Sequence, residues 1–109
     1  MKIADFGTAT KMGLAGKIEG SWGTEGFMAP ELYEVEEFDG RLADFFATAV
    51  VLFKMFFGFM PFYTTNYRTY DKHAPMIMSG RWDDFWASVS NHDGRTDVPV
   101  PSDQLKELL

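Results

Sequence analysis

The chain has 109 residues, enough for one domain with one modest core. Hydrophobic residues make up 46% of the sequence and charged residues 24%, which is typical of a globular protein and excludes a disordered one. The formal net charge of -6 argues against a nucleic-acid partner, because phosphate binding needs clustered Lys and Arg. Without cysteine there is no disulfide or Cys-ligated zinc, and no signal-peptide pattern is visible, so we expect a cytoplasmic, intracellular location.

The first third of the chain is predicted to be mostly loop. Residues 2–4 form a short strand-like lead that Gly7 interrupts, and further glycines recur up to Gly26. These glycines lack the spacing of a dinucleotide cradle, so a mobile loop explains them better. Pro30 fits the first turn of a short helix over residues 31–35.

Residues 43–57 predict the central helix of the fold. This stretch has no Gly or Pro and is apolar on every side, as in a helix surrounded by other protein. Gly58 is its expected stop. A membrane-associated protein is the alternative, but the helix would be only about 22 Å long and would place Lys54 in lipid. We therefore expect no membrane contact.

The remainder, residues 63–102, has weaker patterns. A helix is predicted over residues 71–79, and Trp82, Phe85 and Trp86 are expected to pack onto the core. A polar loop over residues 91–102 then leads to Ser102, which is expected to cap a helix over residues 103–109.

The two histidines are not predicted to bind a metal. His73 and His92 have no His or Cys partner at ligand spacing, so packing is the better interpretation of both.

Three blocks of sequence carry the chemistry, and their order matters more than any one of them. The first is Asp5-Phe6-Gly7, in which a carboxylate suited to Mg²⁺ precedes a glycine that permits a sharp turn. The second runs from Gly23-Thr24 to Ala29-Pro30-Glu31, and the third is the helix that begins near Asp44. In this order and spacing the chain resembles the eukaryotic protein kinase family, Ser/Thr type.

The resemblance implies a mainly α fold, the C-lobe fragment of a kinase, with a short β lead and a central buried helix. Residues 1–109 would then be a partial kinase domain, with an activation segment at 5–31 and the central helix at 43–57. The region 63–102 diverges from the family, and residues 103–109 would begin a later helix.

The resemblance also implies roles for single residues. Asp5 would bind Mg²⁺ between the ATP phosphates, with Phe6 packing under a helix of the other lobe and Gly7 completing the cofactor-binding triplet. Thr24 would support the substrate site. Ser21 is a possible phosphorylation site, against the alternative of an ordinary loop serine.

Two carboxylates would be structural in the family. Glu31 would make a buried salt bridge with an arginine, and Asp44 would bind the backbone of the catalytic loop. The chain contains neither partner, so both carboxylates could instead be exposed here.

The function implied is ATP-dependent transfer of the γ-phosphate to Ser or Thr of protein substrates. Only four residues precede Asp5, so the catalytic loop is absent and we expect the chain alone to be inactive. The implied partners are ATP, protein substrates, and the N-lobe and C-terminal helices of the same domain. The alternative is a pseudokinase-like or truncated module that binds proteins without catalysis.

Overall fold

The computed structural model describes residues 2–20, 23–94, 98, 99 and 101–108. Over these residues the chain is mainly helical with one small sheet, which confirms the predicted fold class. The elements, in chain order, are β1 (Lys17–Glu19), α1 (Glu31–Glu34), β2 (Glu37–Asp39), α2 (Gly40–Phe57), α3 (Ala74–Met78), α4 (Trp82–Ser90), a 3-10 turn (His92–Gly94) and α5 (Asp103–Leu108).

The sheet lies where the sequence predicted loop. β1 and β2 are antiparallel, with Ile18 opposite Phe38. Residues 2–4, which the sequence predicted as a strand-like lead, do not form a strand, so that prediction was wrong. A strand needs a partner for its backbone groups, and the partner here, residues 37–39, lies beside residues 17–19.

The central helix α2 begins three residues earlier than predicted. The Asp39 side chain caps it by accepting a hydrogen bond from the backbone N–H of Arg41 at 2.9 Å. The helix ends as predicted at Gly58, whose φ of 81° is a left-handed conformation that glycine adopts without strain.

Within this chain, helix α2 is covered on one face only, whereas the sequence predicted a helix surrounded by other protein. Val50, Phe53 and Phe57 are buried, but Phe45 is 74% exposed and Met55 is 66% exposed. One face of the helix therefore packs within this chain and the other is open. Within the part of the chain that the structure covers, no helix is long and apolar enough to span a bilayer.

The predicted helix 71–79 is shorter in the structure. α3 begins only at Ala74 because the Asp71 carboxylate accepts the backbone N–H groups of His73 and Ala74, and Gly80 follows its end with a φ of 72°. α4 was not predicted as a helix, although Phe85 and Trp86 pack on the core as expected.

The short helices α1 and α5 are close to their predicted positions. Pro30 occupies the N-cap position, directly before the first turn of α1, and the helix stops at Glu34. Ser102 caps α5 as predicted, because its hydroxyl accepts the N–H of Leu105 at 3.2 Å. Leu109 lies outside the described residues.

The buried apolar side chains form three neighbouring clusters. The first joins α1 to β2, the second joins α2 to α4, and the third joins α2 to the loop before α3. Their members are, in that order, Met28, Ala29, Leu32 and Phe38; Phe53, Phe57, Phe85 and Val89; and Val50, Phe62 and Ala74. The loop over residues 61–71 contributes Phe62 to the third cluster, and its Thr65 hydrogen-bonds to Met28 of the first.

Candidate functional site

An open cleft of about 360 Å³ lies between the N-terminal segment and the start of α2. Asp5 and Phe6 line one side of it, and Asp44 lines the other. Asp5 has a φ of 62°, a left-handed conformation that Asp tolerates better than most residues. The fold therefore brings together two of the predicted site carboxylates, which are 39 residues apart in the sequence.

The position of Asp5 suits the role of one ligand of a Mg²⁺ ion. Its side chain is exposed, and the position that a Cβ on Gly7 would take lies 3.6 Å from its Oδ1, an ordinary contact distance. Mg²⁺ is usually held by one or two carboxylates together with phosphate oxygens and water. Among the residues with described side chains, no group of three acidic or histidine side chains could hold a metal without such added ligands.

Glu31 is the first residue of α1, and Asp44 lies one turn into α2. The Asp44 side chain is exposed, and its backbone carbonyl accepts the Thr48 hydroxyl at 2.8 Å. Glu31 is half-buried. Over the described ranges neither carboxylate forms an ion pair, so their family roles stay predictions.

Thr24 lies outside that cleft and begins a separate turn, residues 24–27, called here the Thr24 turn. The turn is closed by a hydrogen bond from the N–H of Phe27 to the Thr24 carbonyl at 3.2 Å. Gly26 has a φ of 86°, and a Cβ there would lie 3.1 Å from the backbone oxygen of Tyr63. Only glycine allows this turn to approach the loop over residues 61–71 so closely.

The same loop is tied to the residue that follows the Thr24 turn. The Thr65 hydroxyl donates to the backbone carbonyl of Met28 at 2.8 Å, and both residues are buried.

Phe6, which the resemblance placed under another lobe, is 69% exposed in this chain. Ser21 lies outside the described residues.

Asp71 is the buried carboxylate that the sequence did not single out. It is 7% exposed and accepts four backbone N–H groups, from Tyr63 at 2.7 Å, Thr64 at 3.3 Å, His73 at 2.8 Å and Ala74 at 2.9 Å. Burial raises the pKa of Asp71, but the four donors together outweigh it and hold the pKa below 3.8. The signal available was an Asp shortly before Ala-Pro at a predicted helix start.

The two histidines make structural contacts. His73 is buried, with Nδ1 2.8 Å from the carbonyl of Pro61 and Nε2 2.8 Å from the Ser88 hydroxyl. The ring of His92 stacks on Phe59 with centroids 3.8 Å apart. Both observations support the interpretation of these residues as packing residues.

Comparison with known proteins gives the family. The family model described as "Protein kinase domain" matches residues 1–109. Among curated proteins, the chain is 32% identical over 72 residues to CBL-interacting protein kinase 32 of Oryza sativa subsp. japonica, covering 63% of this chain and 16% of that protein. It is 28% identical over 111 residues to CBL-interacting protein kinase 26 of the same organism, covering 93% of this chain and 22% of that protein.

The chain therefore spans about a sixth to a fifth of the length of these relatives. No solved structure matches it. The family model covers every residue, and the Asp5-Phe6-Gly7 and Ala29-Pro30-Glu31 blocks fall within the match. The chain belongs to the eukaryotic protein kinase family, as a fragment of the kinase domain related to Ser/Thr kinases.

Proposed function

We propose that the protein containing this chain is an ATP-dependent Ser/Thr protein kinase, and that residues 5–31 are its activation segment. The observation that carries the proposal is the cleft lined by both Asp5 and Asp44 in a chain of this family. Kinase catalysis depends on positioning the nucleotide and the substrate hydroxyl and on stabilising charge at the phosphates. The chain supplies part of the surface for that work.

The nucleotide side of the site is assigned to Asp5, Phe6 and Gly7. The Asp5 carboxylate offers oxygen ligands into the cleft, and Gly7 lies beside it. Magnesium, when bound with ATP, neutralises negative charge on the phosphates during transfer. Phe6 is exposed in this chain and is available to pack against the other lobe.

The substrate side is assigned to Thr24. Its turn is held in place from two sides, by the contact of Gly26 with the backbone of Tyr63 and by the hydrogen bond between Thr65 and Met28. A fixed turn of this kind can present one hydroxyl to the substrate at a defined position. Protein Ser and Thr hydroxyls are the proposed acceptors.

The open face of α2 is proposed to be covered by the N-lobe and C-terminal helices of the same domain. It presents large apolar side chains, including Leu42, Phe45 and Met55, all more than half exposed. An apolar patch on this scale usually marks an interface. The same face also favours the second candidate, a pseudokinase-like or truncated module that binds other proteins.

The test compares variants of the protein translated from the longest transcript that includes this chain. Phosphate incorporation from labelled ATP into a protein substrate is measured for the wild type, Asp5→Asn and Asp103→Asn. We expect Asp5→Asn to lower kcat by roughly 10²–10³-fold, since it removes a charged ligand at the phosphates. Asp103 lies on the exposed side of α5 and serves as the matched control.

Two results separate the candidates. Incorporation that Asp5→Asn abolishes and Asp103→Asn preserves supports the kinase. A stable protein with no incorporation, whose sequence before Asp5 has no His-Arg-Asp loop, supports the binding module instead. The cytoplasmic location stays a prediction.

A further inference from the structure

We propose that Asp71 is a positioning residue for the Thr24 turn, acting through the loop over residues 61–71. This inference rests on the proposed function, because it takes the Thr24 turn to be part of the substrate site. Asp71 lies 47 positions after Thr24 in the numbering, and its side chain accepts hydrogen bonds from the backbone of other residues. Its influence is carried by backbone groups in two steps.

The first step joins Asp71 to the loop. Its Oδ2 accepts the backbone N–H groups of Tyr63 and Thr64, and its Oδ1 accepts those of His73 and Ala74. One carboxylate therefore fixes both the loop and the start of α3. Because the side chain is buried, these bonds lie away from water and are stronger for it.

The second step joins the loop to the Thr24 turn. Gly26 lies against the backbone oxygens of Phe62 and Tyr63, 3.7 Å and 3.1 Å from the position that a Cβ would take. Two residues after Tyr63, the Thr65 hydroxyl holds the carbonyl of Met28. The loop thus contacts Gly26 within the turn and Met28 directly after it, so a shift of the loop must move the turn or open a gap.

A carboxylate is required at this position, and an amide cannot replace it. All four hydrogen-bond partners of the Asp71 side chain are backbone N–H donors, so each of its oxygens must be an acceptor. In Asp71→Asn the side-chain NH₂ would face two backbone N–H groups in either orientation. The variant must therefore release either the loop or the start of α3, with little change in the volume of the side chain.

The first experiment uses the 109-residue chain without nucleotide and follows backbone amides by ¹H–¹⁵N NMR. Asp71→Asn is compared with Asp84→Asn, and Thr65→Val with Thr69→Val; both control side chains are exposed. In each test variant we expect the amides of Gly26, Phe27 and Met28 to move by more than a linewidth. The Phe27 amide, which bonds to Thr24, should also lose protection from hydrogen exchange.

The two control variants should leave those three amides in place. The proposal is overturned if Asp71→Asn moves the amides of Tyr63 and Thr64 but not those of residues 26–28. In that case Asp71 would only order its own loop. Thr65→Val provides the same readout without touching the carboxylate. If Asp71→Asn does not fold, Thr65→Val still tests the link between the loop and the turn, and unmoved amides of residues 26–28 would refute it.

The second experiment measures kinetics in the longest natural protein that contains the chain. A positioning role predicts that Asp71→Asn raises KM for the protein substrate, or lowers kcat/KM for it by roughly 10–100-fold, while KM for ATP is unchanged. A merely structural role would lower the amount of active enzyme and leave both KM values alone. That second pattern would refute the proposal.

The two experiments also separate this inference from the proposed function. The NMR readout contains no nucleotide and does not depend on phosphotransfer. If the amides move as expected but the full protein transfers no phosphate, the link between Asp71 and the turn stands and the kinase proposal fails. If the protein is an active kinase but the amides of residues 26–28 stay fixed, the positioning role fails.

Discussion

The side-chain hydroxyl of Thr65 donates a hydrogen bond of 2.8 Å to the backbone carbonyl of Met28, across 37 residues of sequence. The bond joins the loop between α2 and α3 to the segment that precedes α1. Both residues are buried, so neither group has water as a substitute partner. The relationship links the block that carries Thr24 to the region 63–102, which the sequence predicted to diverge from the family.

Removing that hydroxyl should destabilise the fold. Thr65→Val keeps the shape of the side chain but leaves the Met28 carbonyl unpaired, which we expect to lower the free energy of unfolding by about 1–3 kcal/mol. Urea denaturation, monitored by tryptophan fluorescence, measures this change in the free energy of unfolding. Thr69→Val, at an exposed position of the same loop, should stay within about 0.5 kcal/mol of the wild type. Equal midpoints for the two variants would contradict the assignment.

The contribution of Asp71 to stability should depend on pH in one direction. Its pKa is lower in the folded chain than the ordinary value of 3.8, so the unfolded state binds the proton more readily. The stabilisation is complete well above pH 3.8 and is lost as the pH falls below it through the folded pKa. The difference in free energy of unfolding between wild type and Asp71→Asn should therefore be constant near neutral pH and shrink in acid. A difference that grows in acid would have the wrong sign.

The two faces of α2 should respond very differently to the same substitution. Phe53 is 3% exposed and its ring lies 4.4 Å from Phe57 and 6.0 Å from Phe85, centroid to centroid. Phe53→Ala should cost about 3–5 kcal/mol, through lost burial and the cavity left behind. Phe45→Ala, on the open face, should change the stability of this chain by no more than about 0.5 kcal/mol. Similar losses from both substitutions would mean that the open face is covered.

Gly40 should be needed for the docking of β1. A side chain there would collide with Ile18 and lie within 3.1 Å of the sulfur of Met12, so Gly40→Val should push both away. Overpacking of this kind costs about 1–3 kcal/mol, which corresponds to a roughly 5- to 150-fold faster tryptic cleavage after Lys17. Gly13→Val is the control, since a Cβ at Gly13 meets nothing within 4 Å. Equal cleavage rates for the two variants would rule out the contact.

The sequence predicted the features that depend on local patterns. The apolar run and Gly58 were enough to place α2, and Ser102 was enough to place the cap of α5. The helix α4 was missed although it has a helical spacing, with apolar residues at 82, 85, 86 and 89. In that case the signal was present in the sequence.

Features that depend on tertiary contacts could not be predicted in the same way. Strand β1 forms because residues 37–39 come beside it, and the fold rather than a local pattern decides that pairing. Asp71 looks like any loop carboxylate until its four backbone donors are brought together. The open face of α2 was predicted to be buried because apolarity indicates a preference for burial and does not say which chain provides the cover.

The most direct test of the account is a phosphotransfer assay on the purified 109-residue chain, with Mg²⁺, labelled ATP and a generic protein substrate. In the proposed function, this chain supplies one metal ligand and a substrate-site turn, and the catalytic loop and the nucleotide-covering lobe belong to the rest of the domain. We therefore expect no incorporation above background, and only weak binding of Mg-nucleotide. Sustained incorporation by the chain alone, abolished by Asp5→Asn, would contradict it.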